Sequence, residues 1–306
     1  MKLNYKLLKR LLIFLAVLTP VAFGLRLYTY WKEMDAASYF FRDSGIICSV
    51  FNGICLGVFF ICLLFSFSKK GVDVSASEGD ASPRRKAAED LLVQDEELFD
   101  AEEAFPQYFH KGFAKKACVW NGTLSAFACL LPGFGFLCYA LSFLMDKDNL
   151  RDLYVMVFAA LSLLSGAFFL LSAFRNSFEK SKFFAFFALV PALWATLRMI
   201  VEYRDLTRFI NKSLYVGQFL FVLSILIFFL YQGQILLGEE SLSRPNSYAF
   251  SAVAAVFLGV VARLPVLIAL IGDQVRLDLV DASSLLMDIA ITLFIAVKLA
   301  SAAKRH

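Results

Sequence analysis

Residues 213–235 read SLYVGQFLFVLSILIFFLYQGQI, 23 positions from Ser213 to Ile235 without one charged side chain. A hydrocarbon layer about 30 Å thick needs roughly 20 mostly apolar residues to be crossed by a helix. Within the stretch, Phe219-Leu220-Phe221-Val222-Leu223 does not alternate apolar with polar, which excludes the short alternating strands of a membrane barrel. Lipid offers the backbone no hydrogen-bond partner, so the segment must satisfy its own amides and carbonyls, and it is read as a helix. The same reading gives eight spans, at 11–31, 46–68, 119–145, 153–174, 183–203, 213–235, 248–271 and 280–300. The fold class expected is therefore all-α, a polytopic transmembrane bundle of about eight helices. Residues 1–68 form two N-terminal spans, 69–118 a cytoplasmic linker, and 119–306 a six-helix region.

Composition supports a bilayer as the solvent. The chain is 59% hydrophobic and 18% charged, against roughly 45–50% and about 25% in soluble domains. The first span resembles a signal peptide at its start, where Lys2, Lys6, Lys9 and Arg10 precede a short apolar run. Tyr28, Tyr30 and Trp31 continue it as an interfacial belt, so it is read as retained. Orientation follows from Lys and Arg at the span ends. With the N-terminus inside, nineteen basic residues fall on the cytoplasmic side and nine outside. Both termini are thus expected in the cytoplasm.

Several chemistries are excluded. The histidines are His110 and His306; neither lies in a span, which removes intramembrane zinc sites and Ser-His pairs. No phosphate-binding glycine motif occurs. A net charge of +4, with Lys and Arg at the edges of apolar runs, makes no nucleic-acid face. Glu239-Glu240-Ser241-Leu242-Ser243-Arg244 resembles the first motif of the CAAX-type intramembrane proteases, but the intramembrane histidines of that family are missing. The cysteines, Cys48, Cys55, Cys62, Cys118, Cys129 and Cys138, read as buried packing thiols. No cofactor or metal is expected, and a non-enzymatic role is favoured.

Two features carry what function is legible. Lys86 to Phe105 combines eight carboxylates with Leu91, Leu92, Leu98 and Phe99 at helical intervals. It predicts an acidic amphipathic helix, either solvated against its own bundle or docking a basic cytoplasmic protein. The second feature is the set of polar residues inside spans. Each ionisable group there costs at least about 2.5–3.5 kcal/mol to insert and marks a site by default. They are Arg198 and Glu202 in span five, Arg263 in span seven and Asp288 in span eight, with Asn52 and Gln218 as weaker members. Arg198 is expected about 8 Å deep and Arg263 and Asp288 about 12 Å deep, at 1.5 Å per residue from the outer ends. Arg263 and Asp288 are expected to meet, and Arg198 to pair with Glu202 one helical turn away. The set is either a polar binding pocket open to the outside or a group of structural ion pairs. Pro132 to Gly135 and Pro265 should kink or open their helices. Gly53 and Gly57, a GxxxG pair, suit close helix approach and an oligomer.

Pro191-Ala192-Leu193-Trp194-Ala195-Thr196-Leu197-Arg198-Met199-Ile200-Val201-Glu202-Tyr203 resembles a segment of uncharacterised multi-pass membrane proteins of Gram-positive anaerobic bacteria. The likeness extends over about the second half of the chain. It implies a bacterial plasma membrane and assigns no activity. Two roles stay open: a membrane subunit or sensor working through a cytoplasmic partner, and a transporter or small-molecule-binding protein using the polar set.

Overall fold

The computed structural model describes residues 5–32, 46–67, 123–145, 153–174, 186–208, 212–237, 245–272 and 277–303. The 69–118 segment, with its predicted acidic helix and docking element, lies outside the described residues, as does the Glu239–Arg244 motif. The described residues are helical, in the order α1 (Tyr5–Lys32), α2 (Ile46–Phe67), α3 (Thr123–Met145), α4 (Leu153–Phe174), α5 (Val190–Arg208), α6 (Lys212–Leu237), α7 (Pro245–Leu258), a π-helical turn (Gly259–Arg263), α8 (Leu264–Ile271) and α9 (Leu279–Ala303). Because α7, the π turn and α8 form one rod, eight rods correspond to the eight expected spans. Seven are long and apolar enough to cross a membrane. The remaining rod is α5, whose sequence carries Arg198, Glu202, Arg204, Asp205 and Arg208. The chain is a multi-pass integral membrane protein.

The principal packing closes six rods into a ring: α3 on α4, α4 on α5, α5 on α6, α6 on α7, α7 on α9, and α9 back on α3. Helix α2 lies outside against α6 and α7, and α1 lies against α2 and the π turn–α8 part of the seventh rod. The ring is filled by aromatic rings. Phe169 meets Phe136, Phe229 and Phe294 at centroid distances of 5.6, 5.8 and 5.1 Å, and Phe136 stands edge-on to the fully buried Trp194 at 4.7 Å. The periphery is the reverse of a soluble surface. Val17 on α1 and Leu64 on α2 are each 70% exposed, with Phe14 and Phe60 above half. Apolar exposure on that scale suits lipid contact. Hydroxyls within the rods donate to carbonyls four residues back, as in Ser162 to Phe158, Ser172 to Phe168 and Ser224 to Leu220, so no polar hydrogen is presented to hydrocarbon there.

Proline and glycine behave differently from place to place. Helix α3 runs unbroken through Pro132. Ahead of Pro265, the seventh rod does open. Proline has no amide hydrogen for the carbonyl four residues back, and the ladder lengthens to a π bond from the Leu264 N–H to the Gly259 oxygen. The close approach expected of Gly53 and Gly57 does not occur among the described residues: a Cβ at either would meet nothing of them within 4 Å. Close approach occurs instead at Gly135, where a Cβ would stand only 3.0 Å from the Met287 Cα. One thiol departs from the buried reading, since Cys138 is exposed while Cys48, Cys55, Cys62 and Cys129 are buried.

Candidate functional site

Helix α5 places Arg198 and Glu202 one turn apart on a single face, because residues four apart in a helix are neighbours. Helix α9 does the same with Ser284 and Asp288. Helix α6 contributes Gln218, and the π turn ends on Arg263. These side chains close a ring of polar contacts. Arg198 grips Asp288 with both terminal nitrogens, Nη2 donating to Oδ2 at 2.7 Å and Nη1 donating to Oδ1. Nη2 also donates to the Ser284 hydroxyl at 3.1 Å. On the other side of the carboxylate, Arg263 Nε donates to Oδ2 at 2.6 Å, and Nη2 pairs with the same oxygen. Arg263 Nη1 donates to the Gln218 side-chain oxygen at 2.7 Å. The Gln218 amide in turn donates to Glu202 Oε1, which faces Arg198 Nε at 3.5 Å. The circuit therefore runs Asp288, Arg198, Glu202, Gln218, Arg263 and back to Asp288, tying α5, α6, the π turn and α9.

The ring is dry. Asp288 is 0% exposed, Arg198 2%, and Glu202 and Arg263 7% each. Two guanidiniums face two carboxylates, so the formal charges cancel within the cluster. Removing either partner would strand a charge where it cannot be hydrated. Trp194 lies under the Arg198 guanidinium, 5.3 Å from ring centre to Cζ, adding a cation–π contact. The backbone beneath Asp288 is held as well: Thr292 donates to the Asp288 carbonyl at 2.8 Å. One turn further along, Gly259 of the π turn meets Thr292, with the Thr292 Cγ2 only 2.6 Å from where a Cβ would stand. The π turn thus docks on α9 at two points, Gly259 on Thr292 and Arg263 on Asp288. A satellite link, Ser142 to Ser283 at 2.9 Å, joins α3 to α9.

The cluster lies in the half of the bundle that carries Lys32 and Ile46. Helix α5 extends to Arg208, so Arg198 is ten residues, about 15 Å along the axis, from that end of its helix rather than the five expected from the sequence. Arg263 and Asp288 meet as expected. Arg198 does face Glu202, but its stronger bonds go to Asp288 on another rod. Asn52 does not join: its buried Oδ1 has no hydrogen-bond partner, and α2 stands outside the helix ring. Both carboxylates are committed to guanidiniums, and no three His, Cys, Asp or Glu side chains converge among the described residues. A small cavity lies in the opposite half between α2, α6 and α7, lined by Phe59, Cys62, Ser66, Ser224, Ser247 and Phe250. Its volume of about 20 Å³ suits a single water.

Sequence reasoning missed Ser284, Arg26 and Lys298. Ser284 reads as an ordinary helix residue; its position one turn before Asp288 was the available signal. Arg26 and Lys298 were counted with the loops, yet both are buried within helices, at 2% and 4% exposure. Arg26 lies between the Tyr30 and Phe51 rings, at 5.0 and 4.9 Å. Lys298 stands 5.9 Å from the Phe294 ring. In both, an aromatic residue four positions away was the clue. Comparisons with protein-family models, curated proteins and solved structures find no match to this chain.

Proposed function

We propose that the protein is a non-catalytic membrane subunit or sensor of a bacterial plasma membrane, with both termini in the cytoplasm. The observation that carries this reading is the closed ring of buried, mutually paired charges. Every charged group that the sequence offered as pocket lining is spent on another, which is the arrangement of a bundle held together rather than one with an open polar passage. The acidic 86–105 segment is the element assigned to a basic cytoplasmic partner. The loop charges support the orientation, and the resemblance of Pro191–Tyr203 supports the bacterial membrane.

Two measurements test the reading. An impermeant maleimide added to intact cells should label Asp148→Cys and leave Ser77→Cys unlabelled until the cells are opened; the reverse pattern contradicts the orientation. A detergent-purified full-length chain should carry a stoichiometric protein that is lost when residues 86–105 are deleted. A chain that purifies alone in both forms contradicts the subunit role. The second reading, small-molecule binding or transport through the same cluster, is favoured by one feature. The π turn sits at the ring, and such bulges recur where helices rearrange at functional sites.

A further inference from the structure

The seventh rod is held unevenly on the two sides of its π turn. In α7, every residue from Ser247 to Leu258 except Val256 is buried, and Gly259 at the start of the turn is pinned by its fit against Thr292. Past the turn the hold is slight. Of the eight residues of α8, Pro265 and Ala269 are buried and Ile271 is 77% exposed. The half-rod packs on α1, through Ala269 and Val266 against Tyr30, with a lesser contact on α9. Among the described residues, the side chain that ties this far side to the ring is Arg263, through its bonds to Asp288 and Gln218. The backbone between Gly259 and Pro265 is the weak point of the rod: it is π-helical, and Pro265 offers no amide to the Val261 carbonyl. Sharp bends in helices concentrate at such bulges and prolines.

We propose that the π turn is a hinge, that α8 swings on it, and that Arg263 is the latch holding this half-rod against the ring. Lipid is as apolar as the side chains α8 would withdraw, so the polar tie is what chiefly opposes the movement. Once released, Arg263 lies eight residues from the end of α8 at Ile271, about 12 Å along the axis, and its long side chain can extend toward the interface. Arg198 stays behind against both carboxylates, which it already meets, so α5 and α9 remain joined when the latch opens. A hinge needs only a few element-terminal residues to absorb the change in backbone angles. The inference goes beyond the subunit or sensor role: it gives the bundle a moving part whether or not a cytoplasmic protein docks at 86–105.

The test reads distances between nitroxide spin labels on full-length protein in detergent, with Cys118 and Cys138 replaced by alanine. One pair, Ile271→Cys with Leu153→Cys, spans from the tip of α8 to the start of α4. A second pair, Leu153→Cys with Leu279→Cys, stays within the ring of rods. All three positions are more than half exposed. With Arg263 in place, the displaced arrangement should be a minor state of at most about 10%. Arg263→Gln should make it the majority in the first pair and leave the second pair unchanged. Arg263→Lys, which keeps the charge without the planar fork, should fall between and serves if the glutamine variant does not fold. Pro265→Ala, which returns an amide to the Val261 carbonyl, should lower the displaced population when added to either. The proposal is overturned if both Arg263 variants keep the wild-type distances in the first pair, if the second pair broadens as much as the first, or if Pro265→Ala leaves the displaced population unchanged.

Discussion

Asp288→Asn is expected to lower the stability of the bundle by about 3–5 kcal/mol, the cost of removing one partner from a buried ion pair. The substitution keeps the shape of the side chain, so packing is not what changes. What changes is charge: Arg198 and Arg263 are left with only Glu202 between them. Asp288 is 0% exposed, so water cannot make up the loss, and Arg198 would be held by Ser284 and the distant Glu202 carboxylate. At roughly 2–4 °C per kcal/mol for chains of this order of size, the midpoint of thermal unfolding in detergent should fall by about 10 °C. Glu202→Gln should cost less, since Glu202 is held through one oxygen, by the Gln218 amide and the 3.5 Å approach of Arg198 Nε. Equal effects at the two carboxylates would contradict the inequality between them.

The second large effect is expected at Gly259. An alanine Cβ there would press on the Thr292 Oγ1 and stand 2.6 Å from its Cγ2 and 2.9 Å from its Cβ, closer than side-chain atoms tolerate. Thr292 cannot turn aside cheaply, because its hydroxyl donates to the Asp288 carbonyl and the residue is buried. Either the rods separate or the π turn shifts, and overpacking of this kind costs about 1–3 kcal/mol. Moving the π turn also moves Arg263, so the penalty should extend into the ring. Thr292→Ala removes Oγ1 and Cγ2, the two nearest atoms, and leaves Cβ at 2.9 Å, so it should recover part of the loss when combined with Gly259→Ala. The comparison is made on thermal unfolding of both single variants and the double. A double variant less stable than Gly259→Ala alone would show that the contact is not the cause.

The sequence reading reached the rods and two of the ring's contacts, Arg263 with Asp288 and Arg198 with Glu202, for the same reason: all are matters of distance along the chain. Apolar length places the spans, and equal depth on two consecutive antiparallel rods places Arg263 beside Asp288. It went astray where azimuth mattered. Asn52 lies at a depth comparable to Gln218, but depth does not say which way a helix faces or whether it stands inside the ring of rods. The bond from Arg198 to Asp288 joins α5 to α9, 90 residues apart, and no local pattern announces it. Span five is expected at 183–203 from apolar length alone. The helix runs from Val190 to Arg208, because Arg204, Asp205 and Arg208 end an apolar run without ending a helix. The π turn was legible only as a proline effect at Pro265. Its residue-by-residue fit to α9, through Gly259 and Thr292, is a tertiary fact.

A double-mutant cycle on Arg263→Leu and Asp288→Leu addresses the ring most directly, with unfolding free energy in detergent as the readout. Each single variant leaves the cluster one charge out of balance, negative in the first and positive in the second. The double variant leaves Arg198 facing Glu202 and returns it to neutrality. The double should therefore be more stable than Asp288→Leu alone, with a coupling well above the roughly 0.3–0.5 kcal/mol within which independent sites add. Losses that simply sum would mean that the two residues do not share a buried circuit, and the account of the bundle built on it would fail.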